Sequence, residues 1–405
     1  MQRAPEGDAQ VAGVFRTTSS TFTRRELLRA ALGATGALTL LSACQAQAPR
    51  ATSEAPAAAA PPQGWDALVQ AARQEGRLVV YGPPGPTYRQ VVVNSFERAY
   101  PDIRVEAIFA GGADNAQRLI AERTGGRNLA DVLVSGPITP LTTLRPAGII
   151  VPLKPLLVLP EVVDASKWQG EHHWWADDSG EYVLQFAGQV TTIASFNRDQ
   201  VDPSQFRSYQ DFLDPRWKGK IVATDVRRGG VGASAAQWIY KNPRLGPSFL
   251  DRLFGESEMR LSSDQRQMID WLAQGQYPIG LFLSGTDVRR AQAQGLPVGV
   301  VSAEQFTDGA AVSAGFGSVS YIDQAPHPNA AKVFVNWLVS REGQEAWQRE
   351  TETPSLRVDV PKDKLFDTPQ PNVSYENLAS EEYISLQQSV LQDVIDKALQ
   401  RAGRS

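Results

Sequence analysis

The loop Asp225-Val226-Arg227-Arg228-Gly229-Gly230 carries residue types suited to gripping a small anion. Glycines let a backbone approach a ligand closely, N–H groups at the start of a following helix point outward, and a guanidinium can pair with a carboxylate or phosphonate. Arg227 or Arg228 could be the counter-ion, with Asp225 orienting it. Alternatively both arginines are solvated and the glycines only cap. The hydroxyls of Ser135 and Thr192 could donate to a ligand or satisfy local backbone. The run Glu171-His172-His173-Trp174-Trp175-Ala176-Asp177-Asp178 mixes histidines with acids. Adjacent histidines point in different directions and lack the i,i+4 spacing of a helical metal site, so a surface or cleft-edge loop is expected. Trp174 and Trp175 could wall a ligand, but packing over a sheet edge is the simpler expectation. Asp264 reads as a helix cap. The sequence has no Gly-x-Ser-x-Gly elbow, no phosphate-loop lysine and no His-x-x-x-His pair, and Cys44 is its single cysteine. Binding without turnover is therefore expected, with no enzyme activity, cofactor or metal.

Such loops need elements to hold them. From Trp65 onward, helical stretches at 65–75, 87–100 and 114–123 alternate with strands at 77–81, 103–109 and 131–134, the last helix capped by Asp114. This is the pattern of a parallel sheet wrapped by helices. After an irregular stretch come strands at 182–186 and 190–196. A second alternation places strands at 220–224, 258–261, 279–283 and 298–301 between helices at 232–241, 247–254, 264–274 and 287–294. A strand at 316–322, helices at 329–338 and 342–349 and one long amphipathic helix over 380–399 complete the chain. The expected architecture is α/β and two-lobed, with a hinge of two crossover strands near 191–194 and 316–320. Lobe 1 takes 64–188 with 312–405, and lobe 2 takes 189–311. Ligands in open α/β sheets sit beyond the carboxyl ends of strands. The candidate binding residues are therefore Tyr81, Gly82, Pro83, Gly112, Asp114, Ser135 and Gly136 from lobe 1, and Thr191 and Thr192 at the hinge. Lobe 2 offers Asp225, Arg227, Arg228, Gly229, Gly230, Ser284 and Thr286.

The N-terminal residues address compartment. Thr23-Arg24-Arg25-Glu26-Leu27-Leu28-Arg29 precedes an apolar run over 30–41, which ends in Leu41-Ser42-Ala43-Cys44. A basic start, a short apolar stretch and small residues before a cleavage point describe a signal peptide over 1–43, of twin-arginine type. Leu-Ser-Ala-Cys looks like a lipobox, which would place a lipid on Cys44. The Ala/Pro-rich residues 44–63 read as a tether. With its cysteine lipidated, the mature chain could form no disulfide and no thiolate metal site. A formal charge of −4 without a basic run argues against nucleic acid as a partner. No later segment is apolar for long enough to span a bilayer. The expectation is an exported monomer, periplasmic or held by its lipid outside the cytoplasmic membrane.

Several motifs stand in a fixed order over 65–361: Val79-Val80-Tyr81-Gly82, Phe96-Glu97-Arg98-Ala99-Tyr100-Pro101-Asp102-Ile103, Leu129-Ala130-Asp131-Val132, Leu213-Asp214-Pro215-Arg216-Trp217-Lys218-Gly219-Lys220-Ile221, Pro326-His327-Pro328-Asn329-Ala330-Ala331 and Leu338-Val339-Ser340-Arg341-Glu342-Gly343-Gln344. Together they resemble the substrate-binding proteins of bacterial ABC importers, of the family grouped with ferric-iron-binding periplasmic proteins. The resemblance implies the type 2 periplasmic-binding fold, a solute captured between the lobes and an ABC permease as partner. Two departures matter. Ferric-binding members carry adjacent tyrosines where Gly285 and Thr286 stand here, and a first-loop histidine is replaced within Gly82-Pro83-Pro84-Gly85. Ferric iron favours phenolate, carboxylate and imidazole donors, so a small organic anion is expected instead. Iron-binding relatives hold a synergistic anion near the position of the 227–230 loop. A ferric-binding protein, an enzyme or a ligand sensor on the same fold are the alternatives.

Overall fold

The computed structural model describes residues 64–228, 231–363, 365–386 and 388–404. The residues expected to form an export signal (1–43) and a tether (44–63, with Cys44), together with Gly229 and Gly230, lie outside the described residues. Helix α1 (Trp65–Glu75) turns Leu68, Val69 and Ala72 inward and stops at Gly76. Strand β1 (Arg77–Gly82) then enters the core, with only its first residue exposed. The next helical stretch runs through α2 (Pro86–Arg89), a wider turn over Gln90–Ser95 and α3 (Phe96–Ala99). Strand β2 (Arg104–Phe109), helix α4 (Gly112–Thr124) and strand β3 (Val132–Ser135) follow, and β1 pairs in parallel with both β2 and β3. Short pieces fill the irregular stretch: β4 (Ile150–Val151), α5 (Pro160–Val163), β5 (Trp174–Trp175) and β6 (Val183–Gln185).

The stretch expected as one strand over 190–196 is divided into β7 (Gln189–Val190) and β8 (Ala194–Asn197). Each half has a different partner, because the chain leaves one sheet here and enters another. The second lobe continues through β9 (Ile221–Thr224), α6 (Val231–Lys241), α7 (Gly246–Glu256), β10 (Arg260–Ser262), α8 (Gln265–Ala273), β11 (Ile279–Leu281), α9 (Gly285–Ala293) and β12 (Val298–Val300). Its strand order is β10-β9-β11-β8-β12. Strand β9 runs parallel to β10 and β11, and β8 runs antiparallel to β11 and β12.

The chain returns through β13 (Ala310–Ser313), β14 (Ser318–Ile322), α10 (Pro328–Val339), α11 (Arg341–Thr351), β15 (Tyr375–Asn377), α12 (Glu381–Ile384) and α13 (Gln388–Arg401). Strand β14 enters the middle of the first sheet, whose order is β2-β1-β3-β14-β6-β5 with β4 against β14. A third sheet, β15-β13-β7, lies where the chain passes between lobes. The architecture is the expected two-lobed α/β fold. The crossing strands, however, are β7 and β13 rather than 191–194 and 316–320, and β15 adds a third. The central parallel strands β1, β3, β9 and β11 are buried on both faces, which is why they read as largely apolar runs. Val80 and Phe334 lie in the core on one face of the first sheet, and Tyr81 and Leu133 in that on the other. Ile221 and Trp238 share one core of the second sheet, Val222 and Met268 the other.

The single helix expected over 380–399 is broken in two. Glu381 of α12 is held by the first lobe, where Arg145 Nη1 donates to it at 2.9 Å and Asp178 N at 2.8 Å. Helix α13 instead sets Leu391, Ile395, Ala398 and Leu399 among Phe249, Leu250 and Leu253 of α7. The break lets one segment bind both lobes, so the C-terminal helix departs from its expected place in lobe 1. Ile395 is fully buried. Ile395→Ala should therefore lower stability by about 2–5 kcal/mol in urea unfolding. A loss below about 1 kcal/mol would remove α13 from the core of the second lobe.

Candidate functional site

Two adjoining cavities open where loops of both lobes meet the crossing. The larger, about 380 Å³, is walled by Pro83, Ala110, Gly112, Ala113 and Asn115 and by the loop from Ser135 to Thr139. Ser234 of α6, Ser313–Phe316 at the end of β13, and Leu378 and Ala379 after β15 close it. The smaller, about 270 Å³, shares Ser313, Ala314, Gly315 and Phe316. It adds Tyr88, Gln189, Val190, Thr191, Thr192, Ser284, Gly285, Thr286, Thr353 and Asp367. Tyr88 packs edge-to-face on Phe316, with centroids 5.6 Å apart, where the two cavities join.

The larger cavity is lined by apolar groups and hydroxyls, with no charged side chain. Helix α4 begins at its wall. The N-cap is Gly111, so no side chain accepts a hydrogen bond from the first turn. Those N–H groups carry partial positive charge, which the carboxylate of Asp114 in the same turn partly offsets. Asn115 is 1% exposed, and its Nδ2 donates to the carbonyls of Gly82 at 3.0 Å and Ala110 at 3.1 Å. This amide locks the loop after β1 to the loop after β2. Its Oδ1 is left without a partner, as is the buried Oγ1 of Thr191 in the smaller cavity. Both residues line the cleft. Gly112 is packed closely: a Cβ there would lie 2.6 Å from Thr139 Oγ1.

Residues 77–350 match the model of the bacterial extracellular solute-binding proteins. The chain belongs to this family. An uncharacterized protein of Haemophilus influenzae is 25% identical over 294 residues, covering 70% of this chain and 79% of its own. Among solved structures, a Bordetella ferric binding protein has a similar fold, with a TM-score of 0.61 and 17% identity over 80% of this chain and 98% of that one. A Trichodesmium protein, FutA (IdiA), solved with iron and citrate, has a TM-score of 0.59 and 19% identity over 82% and 100%. At these identities the likeness is one of fold. No helix among the described residues is long and apolar enough to cross a membrane.

In this solute-binding protein, Pro83, Gly112, Ser135 and Gly136 line the larger cavity, and Thr191, Thr192, Ser284 and Thr286 line the smaller. Gly82 contributes the carbonyl held by Asn115. Tyr81 lines neither cavity. It is fully buried, and its hydroxyl donates to Glu122 of α4 at 2.6 Å. Burial, with the Glu122 carboxylate, pushes its pKa up to about 12. Asp114 is not the cap expected of it: α4 starts at Gly112, and Asp114 sits exposed in the first turn.

The arginine loop is the largest departure. Arg227 turns onto Asp225 at 2.8 and 2.9 Å and reaches Asp396 of α13 at 2.8 Å. Gln392 of the same helix donates to its carbonyl at 2.7 Å. Arg227 therefore ties the loop to the C-terminal helix, and the side chain of Arg228 is 73% exposed. None of Asp225, Arg227 and Arg228 lines either cavity. Trp174 is buried in the edge strand β5, and its Nε1 donates to Gln169 O, so these tryptophans pack over a sheet edge. His172 and His173 bond to backbone carbonyls, and among the described residues no group of three His, Cys, Asp or Glu could hold a metal ion. Asp264 caps α8 as expected. Its neighbour Gln265 gave no signal in the sequence. It joins Thr224 at the end of β9 to the backbone of Ser284 at the start of α9.

Burial raises the pKa of Asp225, but the hydrogen bonds and charge of Arg227 outweigh it, leaving the carboxyl below its ordinary value. A depressed folded-state pKa gives stability that is fully present above the unfolded pKa of about 4 and is lost as pH falls through the folded value. Arg227→Met should therefore move the acid unfolding midpoint to higher pH. The difference from wild type should close once Asp225 is protonated in both proteins. Coincident acid unfolding curves would show that the ion pair contributes nothing.

Proposed function

We propose that this protein is the substrate-binding component of an ABC importer, tethered by a lipid on Cys44. It encloses a small organic anion with an apolar body between its lobes and delivers it to a membrane permease. The observation that carries the ligand class is the uncapped start of α4 at the wall of a cavity otherwise lined by apolar groups and hydroxyls. A carboxylate there would accept from first-turn N–H groups. The hydroxyls of Ser135, Thr139, Ser234 and Ser313 are within the same wall. The unpaired Oδ1 of Asn115 favours a solute that also carries a donor, such as a hydroxyl. The cavity volume suits a small metabolite.

Iron is the second candidate, because FutA was solved with iron and citrate and the Bordetella relative is a ferric binding protein. A ferric ion needs several hard donors. Among the residues lining the two cavities only Tyr88 and Asp367 bear a phenol or carboxylate. An iron cargo would then have to arrive with its ligands supplied by an anion such as citrate.

Thermal unfolding against a panel of hydroxycarboxylates and monocarboxylates, citrate, ferric citrate and ferric ion separates these readings, because a tight ligand raises the melting point by mass action. Carboxylates alone should stabilise the protein, and calorimetry should find their affinity at least about tenfold weaker in Gly112→Val, whose side chain displaces Thr139 from the wall. Stabilisation by ferric ion or ferric citrate but by no metal-free anion would overturn the organic-anion assignment in favour of iron.

A further inference from the structure

Asp367 lines the smaller cavity beside Thr191, Thr192 and Gly285. It lies between α11 and β15, in a stretch for which the sequence suggests no element. Its side chain is 5% exposed, and its backbone is in the left-handed region at φ 51°. Arg289 Nε donates to its Oδ1 at 2.8 Å, and Thr192 Oγ1 donates to the same oxygen at 3.2 Å. The backbone N–H of Val190 donates to its carbonyl at 2.7 Å. The second carboxylate oxygen, Oδ2, lies against the start of the nine-residue helix α9. A Cβ on Gly285 would fall 3.2 Å from that oxygen and 2.9 Å from Thr192 Oγ1. Only glycine allows the carboxylate and the threonine to close on the helix start together.

A guanidinium and a hydroxyl donating to one carboxylate, packed beside the Ser284-capped start of a helix, form an anion cradle. Beside it, Thr191 Oγ1 is buried without a partner and lines the same cavity. We propose that Asp367 is a tethered carboxylate filling this cradle, and so a specificity-determining residue of the cleft. Arg289, which a solute's anionic group could otherwise use, is already neutralised. The solute's own anion is thereby confined to the α4 end, and a molecule with a carboxylate at each end meets Asp367 as a like charge. The specificity role rests on the organic-anion assignment above, whereas the filled cradle does not.

The test is chemical rescue of Asp367→Ala in the full chain. Thermal unfolding is followed in sodium formate or acetate against sodium chloride at equal ionic strength. The variant should melt below wild type in chloride, and formate or acetate should restore it saturably. Wild type should show no carboxylate-specific rise of that size, and Arg289→Ala added to the variant should abolish rescue. If Asp367→Ala folds poorly, refolding yield in formate against chloride becomes the readout. Absence of any carboxylate-specific gain overturns the cradle. Rescue combined with no stabilisation of wild type by any carboxylate of the panel above would instead overturn the solute assignment and leave the cradle standing. Calorimetry of succinate against butyrate tests specificity: Asp367→Ala should improve the relative affinity for succinate by about tenfold, the scale of one charge-assisted hydrogen bond. An unchanged ratio removes the specificity role.

Discussion

The geometry of the cleft depends on the crossing sheet, in which β13 lies between β7 and β15. Val312 pairs with Val190 on one side and Asn377 on the other. Thr191 N donates to Ala311 O at 2.7 Å, and Leu378 N to Val312 O at 3.0 Å. With partners on both edges, β13 cannot bend without disturbing two ladders of backbone hydrogen bonds, each costly to leave open. Yet its last residue, Ser313, and the three that follow it, Ala314, Gly315 and Phe316, are the wall common to both cavities. Any change in the angle between lobes is therefore felt at once by a bound solute. Conversely, a solute can shift that angle only through contacts that differ between the open and closed states.

The third strand of this crossing comes from a C-terminal segment anchored alternately to one lobe and then the other. Arg357 begins it. Its side chain is fully buried, a position tolerable only when every donor is paired. It donates to Asp359 at 2.9 and 2.8 Å, to Glu161 Oε2 at 3.1 Å and to the carbonyls of Glu161 and Val339. Asp367 then meets Arg289 of the second lobe, Glu381 returns to Arg145 of the first, and α13 ends on α7 of the second. These fixed points straddle the cleft, and Leu378 and Ala379 between them form part of its wall. Closure must accordingly be accommodated in the short stretches between the anchors, which makes the segment a mechanical coupling as well as a lining.

How much of this was legible follows from how local each cause is. The lobes' strands announce themselves because both sheet faces are buried, so apolar runs such as Val79-Val80-Tyr81 and Ile221-Val222-Ala223 stand out between turn residues. The same property hides orientation. In an all-apolar strand nothing in the sequence tells which alternate residue faces which side, and Tyr81 proved to face α4 rather than the cleft. Strand ends and helix starts point to the loops at Gly112, Ser135, Thr192 and Ser284, whose residues line the two cavities. The fate of Arg227 was not readable, since its partner Asp396 lies 169 residues away on a helix whose docking surface is tertiary. Asp367, Leu378 and Ala379 were hidden for a related reason. Their segment lacks hydrophobic periodicity and is positioned by anchors from both lobes.

A cavity without a charged side chain constrains how an anion could be held there. A helix N-terminus contributes about 0.3–1 kcal/mol at an exposed site and up to about 2 kcal/mol when partly buried. A few neutral hydroxyl contacts add about 1 kcal/mol each at best. Such terms orient a carboxylate but do not by themselves give tight binding against the entropy of association. The apolar wall must supply the rest. Ile138 and Phe316 are 61% and 41% exposed, unusually open for large apolar groups, and both line the larger cavity with Leu378. Covering about 100 Å² of such surface is worth roughly 2.5 kcal/mol, comparable with the polar end or greater. Affinity would then be set by how well an apolar body fits against Phe316 and Leu378. The start of α4 would set which way round that body lies.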